Sequence, residues 1–241
     1  GKSTTIAAFF RSRDDYYWYN ADEMDADPAV FLLNVFSAFR WHNEALAEEA
    51  VEALTDKPEN SPDFVWVINS FINHLALSLE KDTYLVIDDF HLVASNKQIM
   101  DLLAHFIKMM PAQLHLILST RENLGFKEWA AWRLKRIVLV IDEKDLMLDC
   151  EEIISFFEEQ YEITISSEEA ETVRSESEGW IIALDLLGQG MTHGAKLDQV
   201  LGAQTASLDL LFEYLAFEVL ENQSPKVQAF LLKTAVLRNL R

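Results

Sequence analysis

Apolar residues along this chain fall into two spacings, and the change between them divides it. Three short stretches read as strands. Tyr16-Tyr17-Trp18-Tyr19 is aromatic, while Tyr84 to Ile87 and Leu114 to Leu118 are continuous apolar runs flanked by charge. Runs of that kind suit central strands of a parallel sheet, which are buried on both faces. A further run, Arg136 to Ile141, is expected to be another such strand. Between the strands the apolar period lengthens to that of a helix. Phe31, Leu32, Val35, Phe36 and Phe39 line one helical face. Phe64, Ile68, Phe71, Leu75 and Leu79 line a second, opened by Ser61-Pro62 after a turn-rich connector from Lys57 to Pro62. Asp27 with Pro28 predicts an N-cap and first helical residue. Asn96 to Met110 is helical and ends at Pro111.

Strand-helix alternation stops after Ile141. Asp149 predicts a cap for a helix over 151–160, and Ser166-Ser167-Glu168-Glu169 reads as a capping box. Gly179 breaks that helix before the apolar segment Trp180 to Leu187. Gly188, Gly190, Gly194 and Gly202 read as a loop or hinge. Leu208 to Glu221 is a strongly amphipathic helix, and Ser224-Pro225 caps a last one carrying Phe230, Leu231 and Leu232. The pattern predicts an α/β part over 1–142, a helical part over 143–205 and a linker or start of another domain over 206–241.

Composition narrows the classes. The chain has 241 residues, half of them hydrophobic and only seven glycine, which suits one large or two modest cores. The formal charge of −20 argues against nucleic-acid binding by this stretch itself. The single Cys150 forms no internal disulfide, and a reducing cytosol is expected. No segment has the length of a membrane-spanning helix. The first residues do not read as a signal peptide. Because the chain opens inside a motif, its native N-terminus is expected to lie upstream.

Chemistry gathers at two places. Gly1-Lys2-Ser3-Thr4 reads as the second half of a phosphate loop, G-x-x-x-x-G-K-[ST], running into a helix. Backbone N–H groups at such a helix start hold phosphates. Lys2 is placed to reach the β/γ-phosphates, and Ser3 to ligate Mg2+. Some eighty residues on, the strand from Tyr84 ends in Asp88-Asp89. Asp88 is the expected Mg2+ ligand, and Asp89 the group that polarises a water for attack on a γ-phosphate. Arg121 follows the next strand at a similar place, where a parallel sheet binds its ligands, and is a candidate γ-phosphate sensor. The same three features also fit, more blandly, a common tetrapeptide, a solvated acidic turn after a core strand and a surface arginine in a loop. His42, His74, His91, His105, His115 and His193 show no metal-ligand spacing and read as surface or packing residues. There is no nucleophile elbow and no cysteine nucleophile arrangement.

Taken in order, these segments resemble the STAND class of P-loop signal-transduction ATPases, and within it the MalT-like, LuxR-family transcriptional regulators. Gly1-Lys2-Ser3-Thr4 is similar to the end of that family's Walker A motif, and Leu85 to His91 to its Walker B. Trp18-Tyr19-Asn20-Ala21-Asp22, then Asp25-Ala26-Asp27-Pro28 and Phe31, resembles its W-x-x-L-D … D-x-D-P … F segment. Leu116 to Arg121 resembles its sensor strand. Gly179-Trp180 with Ala183-Leu184 resembles its Gly-Trp-Pro-x-x-Leu region, with Ile181 in place of the proline. Tyr214 to Leu220 and Phe230 to Thr234 resemble the run into its winged-helix domain.

The resemblance implies a P-loop sheet whose first strand precedes Gly1, then a helical domain and the start of a winged helix. It implies ATP and ADP as cofactors with Mg2+, nucleotide contact by Gly1, Lys2, Ser3, Thr4 and Gly179, and slow regulatory hydrolysis through Asp89 and Arg121. It implies self-association in the ATP state under an unidentified inducer or protein partner. DNA binding is expected only through a C-terminal domain outside this chain, with no membrane partner. Two alternatives stand beside the switch. One is an interaction module that keeps the fold but binds no nucleotide, which Ile181 and the half-present loop favour. The other is a different P-loop ATPase of the AAA+ type.

Overall fold

The computed structural model describes residues 2–41, 48, 51, 52, 54, 63–192 and 225–234. The chain divides into two compact units, Gly1–Val140 and Ile141–Arg241.

The first unit is built on a parallel sheet of three described strands, β1 (Tyr16–Asn20), β2 (Thr83–Asp88) and β3 (Leu114–Leu118), in the order β1-β2-β3. Leu85, Val86 and Ile87 of the central strand are fully buried, each worth roughly 1.5–3 kcal/mol of burial. Alternation sends their side chains to both faces. Helix α1 (Lys2–Phe10) covers one face, where Phe10 stacks on Tyr16 at 4.5 Å and meets Tyr84 at 5.3 Å. The main core lies on the other face. It joins Leu85 and Ile87 to α2 (Pro28–Ala38), α3 (Phe64–Ser78) and α4 (Lys97–Met109). In α4 the buried residues Ile99, Leu102, Leu103 and Phe106 repeat at helical spacing, so one stripe faces the sheet.

The caps follow the side-chain chemistry. Asp27 accepts from the N–H groups of Ala29 and Val30 ahead of Pro28, and Asn96 from those of Gln98 and Ile99. The second core helix starts at Asp63, which accepts from Trp66 N–H; Ser61, Pro62 and the connector before them lie outside the described residues.

One expected strand does not form. Arg136 to Ile141 carries no strand, and Ile137, Leu139, Val140 and Ile141 are 62%, 83%, 45% and 62% exposed. A strand needs a hydrogen-bonding neighbour, and this run has none among the described residues. The outer edge of β3 is likewise unpaired among them. Helix α5 (Trp129–Leu134) precedes the run and buries Trp132.

The second unit is helical where described. Helices α6 (Cys150–Tyr161), α7 (Ser167–Ser177) and α8 (Ile181–Thr192) enclose Ile153, Phe157, Ile165, Ala170, Val173, Leu184 and Leu187. Both Asp149 and Ser166 form full capping boxes. Gly188 and Gly190 lie inside α8 rather than in a loop or hinge. At Gly188 a close approach calls for glycine: a Cβ there would sit 2.3 Å from the Tyr161 ring. Helix α9 (Pro225–Thr234) is also formed. Gly194, Gly202, the 208–221 helix and the Tyr214 to Leu220 run lie outside the described residues.

Candidate functional site

The two chemical stretches meet at the carboxyl edge of the sheet. Phe10, at the end of α1, packs on Tyr16 and Tyr84 near the beginnings of β1 and β2. The nine residues of α1 span roughly 12 Å, and β2 rises about 13 Å from Tyr84 to Asp88. Lys2 and Ser3 therefore start the helix level with Asp88, on the face Asp88 shares with Tyr84 and Val86. Ser3 and Thr4 are exposed on the first turn. Gly1 lies outside the described residues.

Asp88 is the last residue of β2 and is only 3% exposed, a buried carboxylate. One of its oxygens accepts from Asp89 N–H at 3.1 Å. Asp89 then turns left-handed, at φ 51 and ψ 34, which a short polar side chain tolerates better than most. The turn swings Asp89 out of the strand and leaves its carboxylate 43% exposed. The chain closes over this turn: Phe90 N–H donates to Ser119 carbonyl and Ser119 N–H to Ile87 carbonyl. The loop after β3 is thereby fixed beside the acids. In that loop Thr120 Oγ1 accepts from Glu122 N–H and donates to its carbonyl, which positions the exposed Arg121.

His91, which composition and spacing place among packing residues, belongs to this cluster. Its Nδ1 is buried without a hydrogen-bond partner among the described residues and lies 3.8 Å from the Asp89 carboxylate. That gap exceeds a hydrogen bond, so the contact is a through-space one. Burial lowers the His91 pKa from its ordinary 6.5; Asp89 opposes the shift, and Arg121 and Lys2 add to it. A single imidazole thus feels Asp89, Arg121 and Lys2 together. The available signal in the sequence is its position two residues beyond Asp89.

The donors suit a hard cation. Asp88 and Ser3 offer a carboxylate and a hydroxyl oxygen, the ligand type of Mg2+. No group of three or more His, Cys, Asp or Glu side chains could hold a metal by itself among the described residues. A nucleotide-borne Mg2+ needs only one or two protein oxygens, with phosphates and waters completing its shell. Two surface clefts, of about 390 and 500 Å³, lie elsewhere: one around Cys150 and Arg174, the other around Arg13, Trp18 and Arg40. Neither includes Asp88, Asp89 or Lys2.

Gly179 sits in the second unit, at φ +74. Its carbonyl accepts from Leu148 N–H, and a Cβ there would come within 2.5 Å of the Leu148 carbonyl oxygen. This close approach by itself requires glycine.

Sequence comparison gives these residues a context. The HTH-type transcriptional regulator MalT of Serratia proteamaculans is 28% identical over 247 aligned residues, covering 100% of this chain. MalT of Yersinia enterocolitica and of Yersinia pestis are 27% and 28% identical over the same span. The chain is MalT-like over its whole length. It spans about a quarter of the length of these MalT relatives, 26%. No family model matches it. No described helix is long and apolar enough to cross a membrane.

Proposed function

We propose that this MalT-like chain is the nucleotide-binding segment of a transcriptional regulator, acting as an ATP/ADP switch. The observation that carries the proposal is the convergence of the α1 start, Asp88, Asp89, His91 and Arg121 at one edge of a parallel sheet. That edge is where open α/β sheets take their ligands. Under this reading the sheet is a P-loop sheet. In such a sheet a further strand would pair along the outer edge of β3. Supporting that arrangement are the outer edge of β3, unpaired among the described residues, and the exposed apolar run itself.

The roles follow from position. The α1 N-terminus and Lys2 bind phosphate oxygens through N–H groups and charge. Ser3 and Asp88 would hold Mg2+, which neutralises phosphate charge. Asp89 is exposed enough to orient an attacking water, and Arg121 responds to the presence of a γ-phosphate. Gly179 shapes the helical unit through its close approach to the Leu148 backbone. The switch then operates through contacts that differ between ADP and ATP, with the ATP state favouring self-association.

The test is calorimetry on the full-length native protein with ATP and ADP in the presence of Mg2+. Binding at micromolar concentration is expected, and Lys2→Ala is expected to weaken it by a hundredfold or more, on the order of 3 kcal/mol. Unchanged affinity in Lys2→Ala removes the phosphate-loop assignment. Absence of binding in a folded native protein favours the interaction module, for which Ile181 at the proline position is the specific observation.

A further inference from the structure

A side chain in β1 faces the same edge and has no part in the scheme above. Asn20 is the last residue of β1 and is paired in register with Asp88. The strands are parallel, so in-register residues project to the same face, about 5 Å apart. Asn20, Trp18 and Tyr16 share that face, and Tyr16 stacks against Phe10 of α1. Asn20 is therefore on the α1 side with Asp88. Just beyond it, Ala21 N–H donates to the Asp88 carbonyl at 3.0 Å and fixes the two strand ends together.

The orientation of the Asn20 carboxamide is fixed by chemistry. Trp18 Nε1–H donates to it at 2.7 Å. An indole N–H only donates, so the atom it meets must be the amide oxygen. The amide NH2 is then turned away from Trp18 and presented at the sheet edge. It makes no hydrogen bond among the described residues. One strand away, the Asp88 oxygen not engaged by Asp89 N–H is equally without a partner among them. An exposed asparagine does not need an indole to rotate it correctly. The arrangement makes sense if the direction of the NH2 matters.

We infer that Asn20, locked by Trp18, is a positioning residue for the metal subsite at Asp88. Its NH2 donates through a water of the metal's shell toward the second Asp88 oxygen and holds the carboxylate in its binding orientation. Outer-shell partners of this kind are worth about 10–100-fold in metal affinity. The inference rests on the nucleotide reading proposed above and adds to it a group on β1.

The test is ADP binding to the full-length native protein at a series of Mg2+ concentrations, followed by calorimetry. For Asn20→Ala the Mg2+ concentration giving half-maximal enhancement of ADP binding is expected to rise about tenfold or more, with metal-free ADP affinity and thermal midpoint unchanged. Asn20→Ser, which retains a donor, recovers part of the loss. Trp18→Phe shifts the Mg2+ dependence in the same direction by less, and the double variant is no worse than Asn20→Ala. A native Mg2+ dependence in Asn20→Ala overturns the inference and leaves the nucleotide reading intact. Absence of ADP binding at every Mg2+ concentration in the native protein overturns both.

Discussion

Single residues carry the chemistry here, and two of them can be separated by experiment. Asp89 is exposed and contributes little to the fold, so Asp89→Asn should spare nucleotide affinity and slow hydrolysis by at least about tenfold, measured by phosphate release. Normal turnover would exclude it as the water-orienting group. His91 is the opposite case, a partly buried ring near charges, with its Nδ1 buried. Its folded pKa lies below the ordinary 6.5, so the unfolded chain binds that proton more tightly. Its contribution to stability is complete above that value and declines as pH falls below it. Denaturation between about pH 5 and 7 should show the decline, and His91→Gln should reduce its slope. An unchanged slope would mean that other groups set it. Asp88, Asp89 and Lys2 were legible in the sequence because each is a residue type at a set distance from a strand or helix end. His91 was not, because a histidine among apolar residues is usually a packing residue, and only the left-handed turn at Asp89 brings it back to the acids.

Elements formed where local signals and burial agreed. Asp27, Asn96, Asp149 and Ser166 cap helices as their side chains allow, and β2 is as buried as its apolar run implies. Disagreements arose where an element depends on a neighbour distant in sequence. Arg136 to Ile141 has strand composition but no strand beside it among the described residues, so it joins no ladder and most of its apolar side chains stay exposed. Gly188 looks like a helix breaker, yet α8 runs through it, and its glycine leaves room for the Tyr161 ring. Tyr161 also donates to the Asp185 carboxylate, and burial and that bond push its pKa up to about 12. The α7–α8 connection is the sharpest element-scale constraint. Gly179→Ala forces a side chain into a left-handed position against the Leu148 backbone and should cost about 1–3 kcal/mol in chemical denaturation of the chain. A loss below about 0.5 kcal/mol would mean that the connection relaxes freely.

At the scale of the molecule, charge and topology set what the chain can meet. With a formal charge of −20, the isolated chain should not retain duplex DNA at about 50 mM salt in a filter or gel assay, where counterion release most favours binding. Retention would place a DNA contact within these residues and change the proposed division of labour with a separate DNA-binding domain. The sequence by itself determined the strand-and-helix alternation, the helical second part, the caps, and the two acidic and basic stretches of the candidate site. Each of these depends on residues within a few positions of one another, through period, propensity or capping. Only the tertiary structure decided which residues share the site. The parallel register sets Asn20 beside Asp88 across some seventy residues, and the return of α1 along the sheet brings Lys2 to the same edge. It also decided that Gly188 stays helical and that 136–141 forms no strand. Those outcomes come from pairing and packing between distant segments, which local pattern does not encode.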